Sequence, residues 1–198
     1  MLCSLYFLHL LRLSGCNLSA QSYNILQALL QKKNSSLKKL DLSNNDLQDS
    51  GVELLSAGLK SPHCVLETQT VFSAFFNHLK FLLATCKLTK QSCENLHLVL
   101  QSESSALKEL DLSNNDLQDS GVEILSAGLK RSQCKLETLS LNMCKLSEQS
   151  CKILKSVLQS ENSSLKELNL SKNDLSKVFM LECCVLFPPC INNLPPNN

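Results

Sequence analysis

Residues 40–53 read LDLSNNDLQDSGVE, and residues 110–123 read the same. The match runs on to residues 60 and 130 with one change, Leu54 against Ile124. This block is one phase of a longer rhythm. Leu37, Leu40, Leu42, Asn45 and Leu47 follow the spacing L-x-x-L-x-L-x-x-N-x-L, and so do Leu107, Leu110, Leu112, Asn115 and Leu117. Leu165, Leu168, Leu170, Asn173 and Leu175 give the pattern a third time. A sister pattern carries Cys where Asn stands: Leu136, Leu139, Leu141, Cys144 and Leu146, and again Leu8, Leu11, Leu13, Cys16 and Leu18. The steps Leu8 to Leu37, Leu37 to Leu66, Leu107 to Leu136 and Leu136 to Leu165 are each 29 residues. A fixed period in this range marks a solenoid of stacked units.

The letters of one unit predict its shape. Leu40 and Leu42 are two apart, so a strand points both to one side. The Asn45 amide both donates to and accepts from backbone at the bend that follows. In the sister units a Cys takes that place as a small apolar residue with a weak donor. Ser50 to Glu53, and Ser120 to Glu123, spell a capping box, which predicts helices starting there. Val52, Leu55 and Leu59 then recur at helical spacing. Neither the strand nor the helix buries its apolar side alone, so neighbouring units must stack. The expected fold is α/β: an open horseshoe with parallel strands on the concave side and helices on the convex side. Strands are expected near residues 10–14, 39–43, 80–84, 109–113, 138–142 and 167–171, and helices near 20–33, 50–60, 90–102, 120–130 and 148–160.

The alternation of Asn-type and Cys-type units with long helical halves resembles the ribonuclease-inhibitor class of leucine-rich repeats. Phrases such as CKLSEQSCKILKSVLQS resemble the C-terminal repeats of fish NOD-like receptors, the NACHT/LRR family. The resemblance covers residues 8–176 apart from one interruption. It implies a non-catalytic module that binds proteins in the cytoplasm, within innate immunity.

Net charge is +1, which gives no general attraction to nucleic acid or anionic membrane. Of the 11 cysteines, Cys16, Cys86 and Cys144 are equivalent by repeat, as are Cys64 with Cys134 and Cys93 with Cys151. These seven are expected to be reduced and mostly buried packing residues, as in a reducing cytosol. The opening MLCSLYFLHLLRL lacks a basic start and a small-residue cleavage site, so Leu8, Leu11 and Leu13 are assigned to the first strand. No apolar run reaches the ~18 residues of a membrane span.

The rhythm breaks in three places. Residues 68–79, TQTVFSAFFNHL, are an insertion, with Val71, Phe72, Phe75, Phe76 and Leu79 at helical spacing. That spacing predicts a helical turn over 70–79, with the strand restarting at Phe81 and Leu83. After Ser176 the regular helix is replaced by an irregular tail, 177–198, where Pro188, Pro189, Pro195 and Pro196 forbid a helix. Cys183, Cys184 and Cys190 lie there without standard zinc spacing. Residues 1–7 form an irregular lead-in, and no Gly-x-x-x-x-Gly-Lys-Ser/Thr loop occurs. Uncapped ends expose core leucines and invite self-association.

No Gly-x-Ser-x-Gly or His-Glu-x-x-His motif occurs, and His9, His63, His78 and His97 fall in unrelated unit positions. No cofactor or metal is expected. What remains is binding. The strand positions flanking the buried leucines point off the concave face, and they nominate Arg12, Lys39, Asp41, Ser43, Glu109, Asp111, Ser113, Thr138, Ser140, Asn142, Glu167 and Asn169 as a partner surface. Two roles follow: the repeat region of a NOD-like receptor, or an enzyme inhibitor of the ribonuclease-inhibitor kind. A truncated product with no role of its own is a third.

Overall fold

The structure is a computed structural model and describes residues 8–32, 37–61 and 78–175. Strands and helices alternate: β1 (Leu10–Arg12), α1 (Ala20–Gln31), β2 (Lys39–Asp41), α2 (Gln48–Leu59), β3 (Leu79–Leu82), α3 (Lys90–Leu100), β4 (Leu107–Asp111), α4 (Gln118–Leu129), β5 (Thr138–Ser140), α5 (Glu148–Leu158) and β6 (Glu167–Asn169). The six strands form one sheet in sequence order, and every neighbouring pair is parallel. The register puts Leu11, Leu40, Phe81, Leu110, Leu139 and Leu168 in one row. From Leu40 onward that row is buried, and it packs with Leu55, Leu96, Leu125 and Leu154 of the helices. Helices pack ~8–10 Å apart and strands ~4.8 Å apart, which bends the stack toward the strand side. Among the described residues, no helix is long and apolar enough to cross a membrane.

The bend after each strand needs a left-handed residue. Gly15, Asn44, Thr85, Asn114, Met143 and Lys172 occupy this place, with φ of 66, 59, 56, 55, 53 and 56°. Beyond it, the two unit types differ. In the Cys-type units a second left-handed residue follows the Cys at once, at Asn17, Lys87 and Lys145. In the Asn-type units it comes two residues later, at Gln48 and Gln118, and the helix begins on it.

The junctions alternate accordingly. Each Asn ties its unit to the Cys-type unit before it. The Asn115 amide donates to the Leu83 and Leu112 carbonyls at 2.9 and 2.8 Å and accepts from the Cys86 and Leu88 N–H groups, both at 3.0 Å. Asn173 does the same with Leu141, Leu170, Cys144 and Leu146. At these junctions the helices also approach closely. A Cβ on Gly128 would lie 3.0 Å from the Leu100 Cβ and 3.1 Å from the His97 carbonyl oxygen, and one on Gly58 would lie 2.9 Å from the Leu30 Cβ. The opposite junction, Asn-type followed by Cys-type, uses thiols: Cys86 donates to the Leu42 carbonyl at 3.3 Å and Cys144 to that of Leu112 at 3.2 Å.

Three expectations are corrected. First, Ser50 and Ser120 do not cap helices. α2 and α4 begin two residues earlier, at Gln48 and Gln118, where the backbone N–H groups donate to the Cys86 and Cys144 carbonyls of the next unit. Second, Cys16 is exposed, whereas Cys86 and Cys144 are fully buried. No unit precedes it among the described residues, so its thiol reaches only its own unit, the Ser14 carbonyl at 3.7 Å. Third, Leu79 belongs to β3 and not to a helical insertion. His78 stands where other units have their first leucine, and Leu79, 3% exposed, takes over the role opposite Leu107. The register shift between Leu79 and Lys80 leaves Lys108 without a counterpart, as a bulge. Phe81 and Leu83 are buried, as the restarted register requires. The expected helical turn over 70–79 before Leu79, Cys64, and the 177–198 tail lie outside the described residues.

Candidate functional site

All twelve nominated residues lie in or just beyond the strands, next to the leucines of the repeat pattern. Arg12 and Glu167 are exposed, and Lys39, Asp41, Ser43, Glu109, Asp111, Ser113, Thr138, Ser140, Asn142 and Asn169 are half-buried. The parallel register orders them into rows. One row runs Leu10, Lys39, Lys80, Glu109, Thr138, Glu167, and the next runs Arg12, Asp41, Leu82, Asp111, Ser140, Asn169. The first three strands therefore carry the cations and the later strands most of the anions.

Many of these groups are held in place. Asp41 accepts from the Ser43 N–H at 3.2 Å. Asp111 accepts from the Ser113 N–H and hydroxyl at 2.9 and 2.5 Å, and Asn169 from those of Ser171 at 3.1 and 2.7 Å. Ser113 and Ser140 share a hydrogen bond of 2.8 Å between strands, and the Asn142 amide donates to Ser171. Lys80 pairs with Glu109 at 2.5 Å where the basic and acidic halves meet. Arg12, Lys39, Thr138 and Glu167 have no side-chain partner among the described residues. These groups are available to a ligand without breaking an internal bond.

Further charges at the strand starts were not among the nominated positions. Glu137 bridges Lys108 and Lys166, the latter at 2.6 Å. The hydrogen bond from Lys108, followed by that from Lys166, holds the Glu137 carboxyl down at about 2. The signal was present in the sequence: 108, 137 and 166 are 29 residues apart and alternate in sign. Leu82 and the 42% exposed Leu10 add apolar area to the same rows. Among the described residues, no group of three His, Cys, Asp or Glu side chains is arranged to hold a metal ion.

A family model described as Leucine Rich repeat matches residues 33–56, 103–126 and 161–178. The chain is built of leucine-rich repeats. Each match covers one Asn-type unit, in keeping with the different bends of the two types. The repeats are 40% identical over 182 residues to a ribonuclease inhibitor of Mus musculus, covering 91% of this chain and 37% of that protein. They are 43% identical over 168 residues to NACHT, LRR and PYD domains-containing protein 12 of Mus musculus, covering 85% of this chain and 14% of that protein. A ribonuclease inhibitor of Sus scrofa is 39% identical over 174 residues, 88% of this chain and 35% of its own length. The chain thus spans little more than a third of the ribonuclease inhibitors and about a seventh of the NACHT protein it matches.

Proposed function

We propose that this chain is a non-catalytic protein-interaction module, the repeat region of a cytosolic NOD-like innate-immune receptor, that binds through the open face of its sheet. One observation supports the reading most: the face carries Arg12, Lys39, Thr138 and Glu167 without internal side-chain partners among the described residues, beside a ladder of polar groups hydrogen-bonded to one another. A polar group without an internal partner meets a ligand without first breaking a hydrogen bond, which offsets part of the entropy its side chain loses on binding. The similarity to NACHT, LRR and PYD proteins favours the receptor setting, and the six free described thiols suit a reducing compartment. An enzyme inhibitor of the ribonuclease-inhibitor kind is the second reading. It is favoured by the identity to two such inhibitors and disfavoured by a face that divides its charge between both signs.

Capture from cytosol tests the proposal. The wild-type chain is compared with a sheet-face variant, Lys39→Glu with Glu167→Lys, and a helix-face control, Glu123→Lys with Lys152→Glu. Both variants keep net charge. The proposal expects one defined protein to lose at least ~10-fold in recovery with the sheet-face variant alone, as removal of interfacial charge complementarity does. Equal loss with both variants, or with neither, contradicts it.

A further inference from the structure

The Asn-type to Cys-type junction has a component that no leucine spacing reports. Asp49, in the first turn of α2, lies over the start of α3 in the next unit. It accepts from the Thr89 N–H at 3.0 Å, the Thr89 hydroxyl at 2.6 Å, the Ser92 N–H at 3.1 Å and the Ser92 hydroxyl. Asp119 does the same at the start of α5, with the Ser147 N–H at 2.9 Å, the Ser147 hydroxyl at 2.5 Å, and the Ser150 N–H and hydroxyl. In both copies a carboxylate from one unit caps the helix of the next, and Ser92 and Ser150 are fully buried under it. The anion meets orphan N–H groups at the positive end of the helix dipole.

The first unit presents the same constellation. Ser19 and Ser22 are the repeat equivalents of Thr89 with Ser92 and of Ser147 with Ser150. The Ser19 and Ser22 hydroxyls face each other at 3.3 Å, the α1 start has no side-chain cap, and its first turn has no acidic residue. Ser22 is half-buried and Ser19 exposed. A second, independent feature lies on the same side. Cys16 is exposed, while its equivalents Cys86 and Cys144 each donate to a carbonyl of an Asn-type unit before them. Leu11, Leu13 and Leu18 are only half-buried on this side, where Phe81, Leu83 and Leu88 are fully buried in the third unit.

We propose that the outer side of the first unit is a docking surface for an Asn-type leucine-rich unit, with Ser19 and Ser22 binding that unit's aspartate carboxylate. The occupant is specified by chemistry. It must present a carboxylate four residues after its signature Asn, as Asp49 follows Asn45 and Asp119 follows Asn115, and a strand-end carbonyl for Cys16. A second copy of this chain does not meet the requirement. The sixth unit, the Asn-type unit at its far end, has Lys177 four residues after Asn173. The sequence position that carries the carboxylate in Asp49 and Asp119 thus carries a cation in that unit.

The test supplies the unit and reads Cys16. Residues 107–135 form a complete Asn-type unit that leads directly into the Cys-type unit at Leu136, so a duplicate placed ahead of Leu8 keeps the 29-residue step. In the extended full chain, native alkylation of Cys16 should slow by on the order of 100-fold as the thiol becomes covered. Replacing the duplicate's aspartate, Asp119→Asn in the added copy, or Ser19→Ala with Ser22→Ala, should restore labelling at least ~10-fold. The serine pair should lower the melting midpoint of the extended chain while moving that of the original by less than about 1 °C. If the one-unit extension fails to fold, duplication of residues 78–135 supplies a two-unit extension with its own internal junction. Unchanged Cys16 labelling in a folded extended chain overturns the proposal, and so does protection that ignores the aspartate and serine changes. Concentration-dependent protection of Cys16 in the unextended chain would place a second copy on the surface, and it too overturns the proposal.

Discussion

Asp49 accepts a hydrogen bond from the Thr89 hydroxyl at 2.6 Å, although 40 residues of chain separate the two. The same carboxylate sits in the first turn of its own helix, α2, and at the start of α3. A single aspartate therefore stabilises two helix starts and fixes the distance between two units. The equivalent contact, Asp119 with Ser147 and Ser150, repeats the arrangement one period of two units later.

Asp119→Ala should destabilise the chain by about 2 kcal/mol, the scale of losing a cap whose acceptor is charged. Asp119→Asn, which keeps the shape and loses the charge, should cost about 1 kcal/mol. Urea unfolding followed by circular dichroism measures both. An effect under a few tenths of a kcal/mol would show that water replaces the carboxylate without loss.

Stability should fall in acid, and Glu137 should carry part of the fall. Its folded-state carboxyl is held down at about 2, against 4.5 ordinarily, by hydrogen bonds from Lys108 and Lys166. A depressed carboxyl contributes stability above the unfolded pKa and loses it as pH falls through the folded one, so the window is pH 4.5 down to about 2. Asp49 and Asp119 shift in the same direction: burial pushes them up, but the hydrogen bonds from the Ser and Thr groups outweigh it. Glu137→Gln should cost about 1 kcal/mol at pH 6, as expected for partly exposed pairs, and less near pH 2. Urea midpoints at the two pH values decide it, and an equal loss at both would exclude the ion pairs as the cause.

Native alkylation should divide the cysteines. Burial pushes the Cys86 thiol up to about 11 and the Cys93 and Cys144 thiols up to about 12. A neutral, buried thiol reacts only when its unit opens. Among the described cysteines, Cys16, exposed, should therefore be modified first, with Cys86, Cys93 and Cys144 following only on unfolding. Mass mapping of a labelling time course gives the order directly.

Gly128→Ala should destabilise although alanine is the better helix former. The added methyl would sit 3.0 Å from the Leu100 Cβ and 3.1 Å from the His97 carbonyl oxygen, groups with little room to yield. Crowding of this kind costs about 1–3 kcal/mol, which exceeds the ~0.8–1.0 kcal/mol gained in helix propensity. A thermal midpoint above that of the parent would mean that α3 and α4 part easily.

The leucine spacing made the six strands and five helices legible, because a period of 29 fixes both the strand face and the next unit's start. The sheet-face positions were legible for the same reason: alternation in a strand leaves residues such as Lys39 and Asp41 on the side opposite Leu40 and Leu42. What escaped depends on relations between units. Ser50 to Glu53 reads locally as a capping box, but the acceptor that matters, Asp49, serves a helix in the following unit. Cys16 reads like Cys86, and only the stack decides that one is exposed and the other buried. Leu79 reads as part of an apolar insertion, but the sheet takes it up in place of His78. The Lys108, Glu137 and Lys166 ladder lay one residue away from the positions that alternation selects.

Binding through the sheet face is most directly tested by photo-crosslinking from single positions. A photoreactive side chain is placed at Lys39, Thr138 or Glu167 on the strands, and at Glu123 or Lys152 on the helices, all outside the core. The account predicts a crosslink to one cytosolic protein from the three strand positions and none from the two helix positions. Crosslinks to that protein from Glu123 and Lys152, with none from the strands, would contradict it and put the binding surface on the helices.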